Sequence, residues 1–202
     1  MIAIIDYDAG NMMSVIKAFQ YLGETVEITS DRSKILSADK VVLPGVGAFG
    51  DAMKSLQDSG LPDTIREVVG QGQPFLGICL GMQLLFDSSE ESPGVPGLGI
   101  LPGRILRIPE QEGLKVPHMG WNNLTVNPDS RLLAGIGEEP YVYFVHSYYL
   151  QAEDPRDVAA STFYSVPIHA AAEHGNIFAC QFHPEKSSET GLRILRNFAE
   201  VK

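Results

Sequence analysis

The sequence predicts an α/β fold: a mostly parallel central sheet with helices on both faces, and antiparallel strands added in the second half. Two observations carry this. Up to residue 86, short apolar runs alternate with stretches of helical pattern, the order that produces parallel strands with covering helices. From Arg104 onward strand-like runs follow one another, and helical pattern returns only at the end of the chain. Residues 87–99, rich in Ser, Glu, Pro and Gly, mark a long loop between these halves.

Taken in order, Ile2–Asp6 reads as the first strand, and Asn11 is placed to cap a helix running to Leu22. Thr25–Thr29 is the next strand, followed by a short helix near Arg32–Leu36. Val41–Leu43 is a strand, and residues 51–69 hold one or two helices broken by Gly60 and Pro62. Pro74–Ile78 is a strand that runs into a helix over Leu80–Phe86. The second half offers strands at Arg104–Ile108, Trp121–Val126, Tyr141–His146, Val158–Phe163 and Ile177–Phe182, then an amphipathic helix over Ser188–Ala199. No repeat, low-complexity tract or linker-like break interrupts the chain, which reads as one domain over residues 1–202.

With 202 residues the chain can bury one good core. Its net charge of −10 argues against nucleic-acid or anionic-membrane partners, which select clustered Lys and Arg. No apolar run approaches the roughly 18 residues of a membrane span, and Met1–Asp6 lacks the basic start of a signal peptide. Cytoplasmic placement is expected, with Cys79 and Cys180 as free thiols and Cys180 as inert core. Phosphate-binding loops of the Walker or Gly-x-Gly-x-x-Gly type are missing, as are metal-ligand spacings, so neither metal nor organic cofactor is expected.

Chemistry is concentrated around Gly77-Ile78-Cys79-Leu80-Gly81, between an apolar run and a helical one. This is the Gly-x-Ser-x-Gly nucleophile elbow with sulfur in place of oxygen. The tight turn is expected to push the Cys79 side chain into the open, over a helix N-terminus whose dipole favours thiolate. A thiol nucleophile needs a base and a group that orients it. Phe182-His183-Pro184-Glu185 supplies both, because residues two apart in extended chain share a face and Pro184 holds His183 extended. His118, His146, His169 and His174 have no partner at such spacing. Donors for a tetrahedral oxyanion are expected from the Leu80 N–H and from Pro44-Gly45-Val46-Gly47, where glycines let N–H groups turn toward a ligand.

Together these motifs resemble the class I, or triad, glutamine amidotransferases over most of the chain, which implies a flavodoxin-like fold. Further motifs are Asp8-Ala9-Gly10-Asn11, Pro117-His118-Met119-Gly120-Trp121-Asn122, Val145-His146-Ser147-Tyr148-Tyr149 and Gln181 through Ser187. They resemble most the branch that supplies ammonia for histidine biosynthesis. Ser14 is a departure, standing where some relatives carry asparagine near the subunit interface. The resemblance implies Cys79 as nucleophile, His183 as general base and then acid, and Glu185 as its orienting partner. It implies Val46, Gly47 and Leu80 as the oxyanion hole, and Gly45, Gln83, Glu91, Ser147 and Tyr148 as contacts to bound glutamine.

By the same resemblance the partner is a (β/α)8-barrel cyclase subunit, met as a heterodimer through Asn11, Trp121, Tyr143 and Lys186. That subunit uses the ammonia to form imidazole glycerol phosphate and an aminoimidazole carboxamide ribonucleotide. Glutaminase turnover is expected to stay low until the partner holds its ligand, because a peptide bond in the Pro44–Gly47 loop must turn its N–H inward. Rival readings are the glutaminase of a pyridoxal phosphate synthase or anthranilate synthase, a stand-alone γ-glutamyl hydrolase, and a catalytically silent regulatory subunit.

Overall fold

The computed structural model describes residues 1–8 and 12–202. Asn11, expected as a helix cap and as a partner contact, lies outside the described residues. Five helix-linked strands come first: β1 (Ile2–Ile5), α1 (Met13–Tyr21), β2 (Val26–Thr29), α2 (Arg32–Ser37), β3 (Lys40–Leu43), α3 (Phe49–Asp58), α4 (Leu61–Gly70), β4 (Phe75–Ile78), α5 (Leu80–Gln83) and β5 (Ser88–Ser89). Strands dominate afterwards: β6 (Gly103–Arg107), β7 (His118–Asn123), β8 (Thr125–Val126), β9 (Tyr141–His146), β10 (Tyr148–Ala152), β11 (Val158–Tyr164), β12 (Val166–His174) and β13 (Ile177–Cys180), closed by α6 (Ser188–Glu200).

Strands β2, β1, β3, β4 and β13 lie side by side and all parallel. The sheet continues antiparallel through β12, β10 and β6, with β5 at its edge and β11 and β8 branching from β12. A separate antiparallel ribbon joins β7 to β9. The expected mixed sheet is therefore present, with its parallel part drawing one strand, β13, from the second half.

Alternation along the parallel strands feeds two cores, as a sheet covered on both faces requires. Ala3, Ile5, Val41, Leu43, Phe75 and Ala179 face one side, where Ile35 of α2, Phe49, Met53 and Leu56 of α3 and Ile65 of α4 cover them. Ile2, Ile4, Val42, Leu76, Ile78 and Phe178 face the other, against Val15 and Phe19 of α1 and Ile194, Leu195 and Phe198 of α6. Gly60, at φ +66°, separates α3 from α4, whereas Pro62 sits in the first turn of α4 and breaks nothing.

Several expected boundaries change for local reasons. The 121–126 strand begins earlier, at His118, and divides at Leu124, whose N–H bonds the Pro140 carbonyl. Strands β10 and β12 fall where no strand was expected. His169 in β12 hydrogen-bonds the Ala152 N–H, and Gly-free polar and alanine runs such as Ala170-Ala171-Ala172 carry little strand signal. Register then aligns the carboxyl ends of the parallel strands, with Leu43 beside Gly77 and Cys180 beside Ile78. Open parallel sheets form their sites at that edge.

Candidate active site

Cys79 follows β4 with φ 55° and ψ −111°, a strained backbone for a side-chain-bearing residue. Both flanking glycines are explained by packing. A Cβ on Gly77 would lie 2.8 Å from the Gly81 carbonyl oxygen, and one on Gly81 would overlap the carbonyl of Leu43. The turn is anchored by the Cys79 N–H to the Cys180 carbonyl at 2.8 Å, and the Cys79 carbonyl accepts from Met82 N–H at 3.1 Å. Two expectations need correction. The cysteine is not pushed into the open: it is 8 % exposed, forming part of a pocket wall. The helix after it ends at Gln83 instead of Phe86, so only a single turn of dipole faces the sulfur.

His183 and Glu185 meet, but not as neighbours on one extended strand. β13 ends at Cys180, His183 is extended, and Pro184–Lys186 form a 3-10 turn that folds the carboxylate back. Nδ1 of His183 then lies 2.8 Å from Oε1 of Glu185, with both side chains almost wholly buried. The backbone is held by His183 N–H to the Tyr143 carbonyl at 2.9 Å, and by the Ser187 hydroxyl, which donates to the His183 carbonyl at 2.6 Å. Burial disfavours charge on this imidazole, but the adjacent Cys79 sulfur and the Glu185 carboxylate outweigh it and raise its pKa to about 9. Nε2 is buried and has no hydrogen-bond partner among the described protein atoms, and it belongs to the same pocket wall as Cys79. A proton on this ring is thus held next to Cys79, where a leaving amine can collect it.

One expected oxyanion donor is not free. Leu80 N–H, expected to face the reacting carbonyl, donates instead to the Gly45 carbonyl at 3.3 Å. Gly45, expected as a substrate contact, does not line the main pocket; it faces a small cavity behind it with Val15, Pro44, Ile78 and Glu185. The loop is held from the other side too, since the buried Tyr7 hydroxyl donates to the Pro44 carbonyl at 2.8 Å. Burial, then the nearby Cys79, push the Tyr7 pKa upward and keep that donor protonated.

The main pocket, about 310 Å³, gathers Cys79, His183, Val46, Gly47, Leu80, Gln83, Glu91, Ser147 and Tyr148. That size matches a small polar metabolite at the low end of ligand sites. Glu91 comes from the long loop and is fixed by accepting the Phe49 N–H at 2.8 Å. Gln83 Nε2 donates to the Tyr148 carbonyl at 3.2 Å. Pro117, Val145 and His146 also line it; they stand in motifs quoted from the sequence but were given no role in the site. For His146 the missing signal is register, because β7–β9 pairing sets it opposite His118, 28 residues away. Among the described residues no group of three or more His, Cys, Asp or Glu is arranged to hold a metal.

Of the expected partner contacts, Trp121 is 52 % exposed and Tyr143 stands edge-on to it at 6.1 Å. Lys186 is also exposed. Met119, two residues before Trp121 on β7 and 63 % exposed, extends the apolar surface on the same face of the ribbon. Both cysteines are free, and burial raises the Cys180 thiol far above its ordinary range. No helix among the described residues is long and apolar enough to cross a membrane.

The family model for class I glutamine amidotransferases matches residues 3–201. The chain is 55 % identical over 202 residues to the imidazole glycerol phosphate synthase subunit HisH of Methanothermobacter thermautotrophicus, covering 100 % of this chain and 98 % of the relative. It is 51 % identical to the HisH subunit of Thermosynechococcus vestitus, covering 99 % and 96 %. Among solved structures, a glutamine amidotransferase matches with a TM-score of 0.77 at 21 % identity, over 98 % of this chain and 97 % of that one. The PurLQS structure from Thermotoga maritima matches with a TM-score of 0.75 at 20 % identity, covering 98 % and 96 %. These two show the fold, while the sequence matches decide membership: the chain belongs to the class I glutamine amidotransferases.

Proposed function

We propose that the chain is the glutaminase subunit of an imidazole glycerol phosphate synthase and delivers ammonia to a (β/α)8-barrel cyclase subunit in histidine biosynthesis. The observation that carries the chemistry is that Cys79 and His183 share one pocket while Glu185, outside it, holds His183 Nδ1 at 2.8 Å. The Cys79 sulfur attacks the side-chain amide carbon of glutamine, forming a C–S bond as the carbonyl π electrons move onto oxygen. Collapse of this adduct expels the amine, which takes the His183 proton and leaves as ammonia. His183, now a base, activates water against the glutamyl thioester, releasing glutamate and restoring the thiol. Glu185 keeps the ring oriented throughout.

Val46, Gly47 and Leu80 serve as the oxyanion site after the Gly45 carbonyl gives up the Leu80 N–H. Gln83, Glu91, Ser147 and Tyr148 hold the substrate. Ammonia protonated in bulk water loses its nucleophilicity, so it must pass directly to the acceptor's site. The apolar surface at Trp121 and Tyr143, beside the exposed Lys186, suits a docked partner whose own site lies nearby. Free, buried thiols suit the reducing cytoplasm.

The test is glutamate release by this chain alone, with the cyclase, and with the cyclase holding its ligand. One missing oxyanion donor costs roughly 10²- to 10³-fold in rate, so the ligand-loaded complex should exceed the isolated chain by about that factor. Equal turnover in all three states would refute the coupling. Stimulation by a different synthase's acceptor subunit would reassign the partner.

A further inference from the structure

Behind the sulfur, opposite the reactive face, a second polar group is present. Gln181 is wholly buried, and its side-chain Nε2 lies 3.9 Å from Cys79 Sγ. We infer that Gln181 is a further catalytic residue: its amide donates a hydrogen bond to the Cys79 sulfur and holds it as a thiolate. This rests on the reading of Cys79 as the nucleophile.

The orientation of that amide follows from one atom that can only accept. The Tyr148 carbonyl takes His146 Nδ1 at 2.8 Å, so Nδ1 carries the proton and neutral His146 presents Nε2 as an acceptor. His118 Nδ1 therefore donates to it, at 2.9 Å, and Asn122 Nδ2 faces the remaining nitrogen of His118 at 3.5 Å. Burial lowers both rings, His118 to about 4 and His146 to about 3, so this sense persists at neutral pH. On the other side of the same carbonyl, Gln83 must also donate, which assigns its Nε2. That Nε2 gives its second hydrogen to Gln181 Oε1 at 2.9 Å. With Oε1 occupied, Gln181 turns Nε2 to the sulfur, and no other arrangement of this chain leaves every partner matched. The direction of one hydrogen bond at the nucleophile is thus set by the Tyr148 carbonyl, which the buried His146 ring also holds.

Donation to an anion is stronger than donation to a neutral thiol, so removing it disfavours thiolate specifically. The titratable groups around Cys79 are His183, backed by Glu185, Cys180 on β13, Tyr7 just after β1, and Glu91, His146 and Tyr148 in the walls of the same pocket. None is altered by a change at Gln181. The experiment follows iodoacetamide alkylation of Cys79 in the full chain from pH 5 to 10, reading the Cys79 peptide by mass spectrometry. Gln181→Leu should move the midpoint of the rate profile upward by about one pH unit, with the plateau rate at high pH rising only by the roughly two- to threefold that a more basic thiolate brings. Simple loosening of the pocket would change the plateau without moving the midpoint. Gln181→Asn retains buried polarity but withdraws the donor by one methylene, and it should shift the midpoint the same way if the leucine variant does not fold. A midpoint coincident with wild type in the folded variant overturns the inference. Glutamate release assayed separately distinguishes that result from failure of the glutaminase reading, which would leave the wild-type profile intact and the wild-type chain inactive on glutamine with its partner.

Discussion

The Cys79 turn and the Pro44–Gly47 loop stand at the carboxyl ends of adjacent parallel strands, both depend on glycine, and they are in opposite states of readiness. The turn is complete: a strained cysteine is locked by crowded glycines on either side and has an oriented, protonated imidazole beside it. The loop is turned the wrong way, its Gly45 carbonyl filling the Leu80 N–H of the turn that an oxyanion needs. Packing accounts for part of the contrast. Gly77, Gly81 and the near end of the loop at Gly45 have no room for a methyl group, whereas Gly47 at its far end has φ +106° and open space around it. Nucleophile and acid are thus preorganised, and transition-state stabilisation is left to a segment that can move. Such a division lets a subunit hold its chemistry back until something shifts the loop.

The largest effect should come from breaking the completed side. Glu185→Gln keeps the shape of the orienting group but removes the carboxylate facing His183 Nδ1. Loss of the correct tautomer in comparable triads costs up to about 10⁴ in kcat. We expect a fall of about 10²- to 10⁴-fold in glutamate release, with and without the cyclase, measured at saturating glutamine. A loss confined to the complex would mean that the triad is not the finished half of the site.

The next effect separates the two glycine sets. Gly81→Ala drives a methyl group into the Leu43 carbonyl and should cost about 4 kcal/mol or more, the range of a severe steric insertion. Gly47→Ala meets no neighbour and bears only the cost of its positive φ, about 1–2 kcal/mol. Urea unfolding of both variants measures the difference. Similar losses would show that the loop is as tightly packed as the turn.

The same contrast explains which parts of the site could be read from sequence. Gly-x-Cys-x-Gly is legible because its constraint is local: each glycine answers to a close approach within a few residues or from the next strand. His183 and Glu185 were legible as a pair, although a 3-10 turn brings them together and strand alternation does not. The parallel half of the fold was read from apolar runs between helical patterns. β10 was missed although Tyr148, Tyr149 and Leu150 favour a strand, because its full register is with β6 far back in the chain; β12 was missed because Pro167 and the alanine run carry little strand signal, although β11 and β13 beside it are its partners. Gln181, Tyr7 and the His118–His146 pair were illegible for a related reason. Gln181, His118 and His146 stand in the motifs of the resemblance, but the roles of all four residues exist only through contacts spanning 28 to 102 residues.

The smallest effect concerns the strain itself. Cys79 occupies φ 55°, ψ −111°, a region that glycine enters freely and other residues enter at a cost of about 1–3 kcal/mol. Cys79→Gly relieves that strain and also removes a mostly buried thiol, which subtracts part of the gain. Comparison with Cys79→Ala cancels the loss of the sulfur, since alanine lacks it as well but keeps the Cβ and therefore the strain. The glycine variant should be more stable than the alanine variant by about 1 kcal/mol, after the greater flexibility of unfolded glycine is set against the relief. Both should be inactive as glutaminases. If alanine proves the more stable of the two, the turn is not strained, and the nucleophile is held by packing alone.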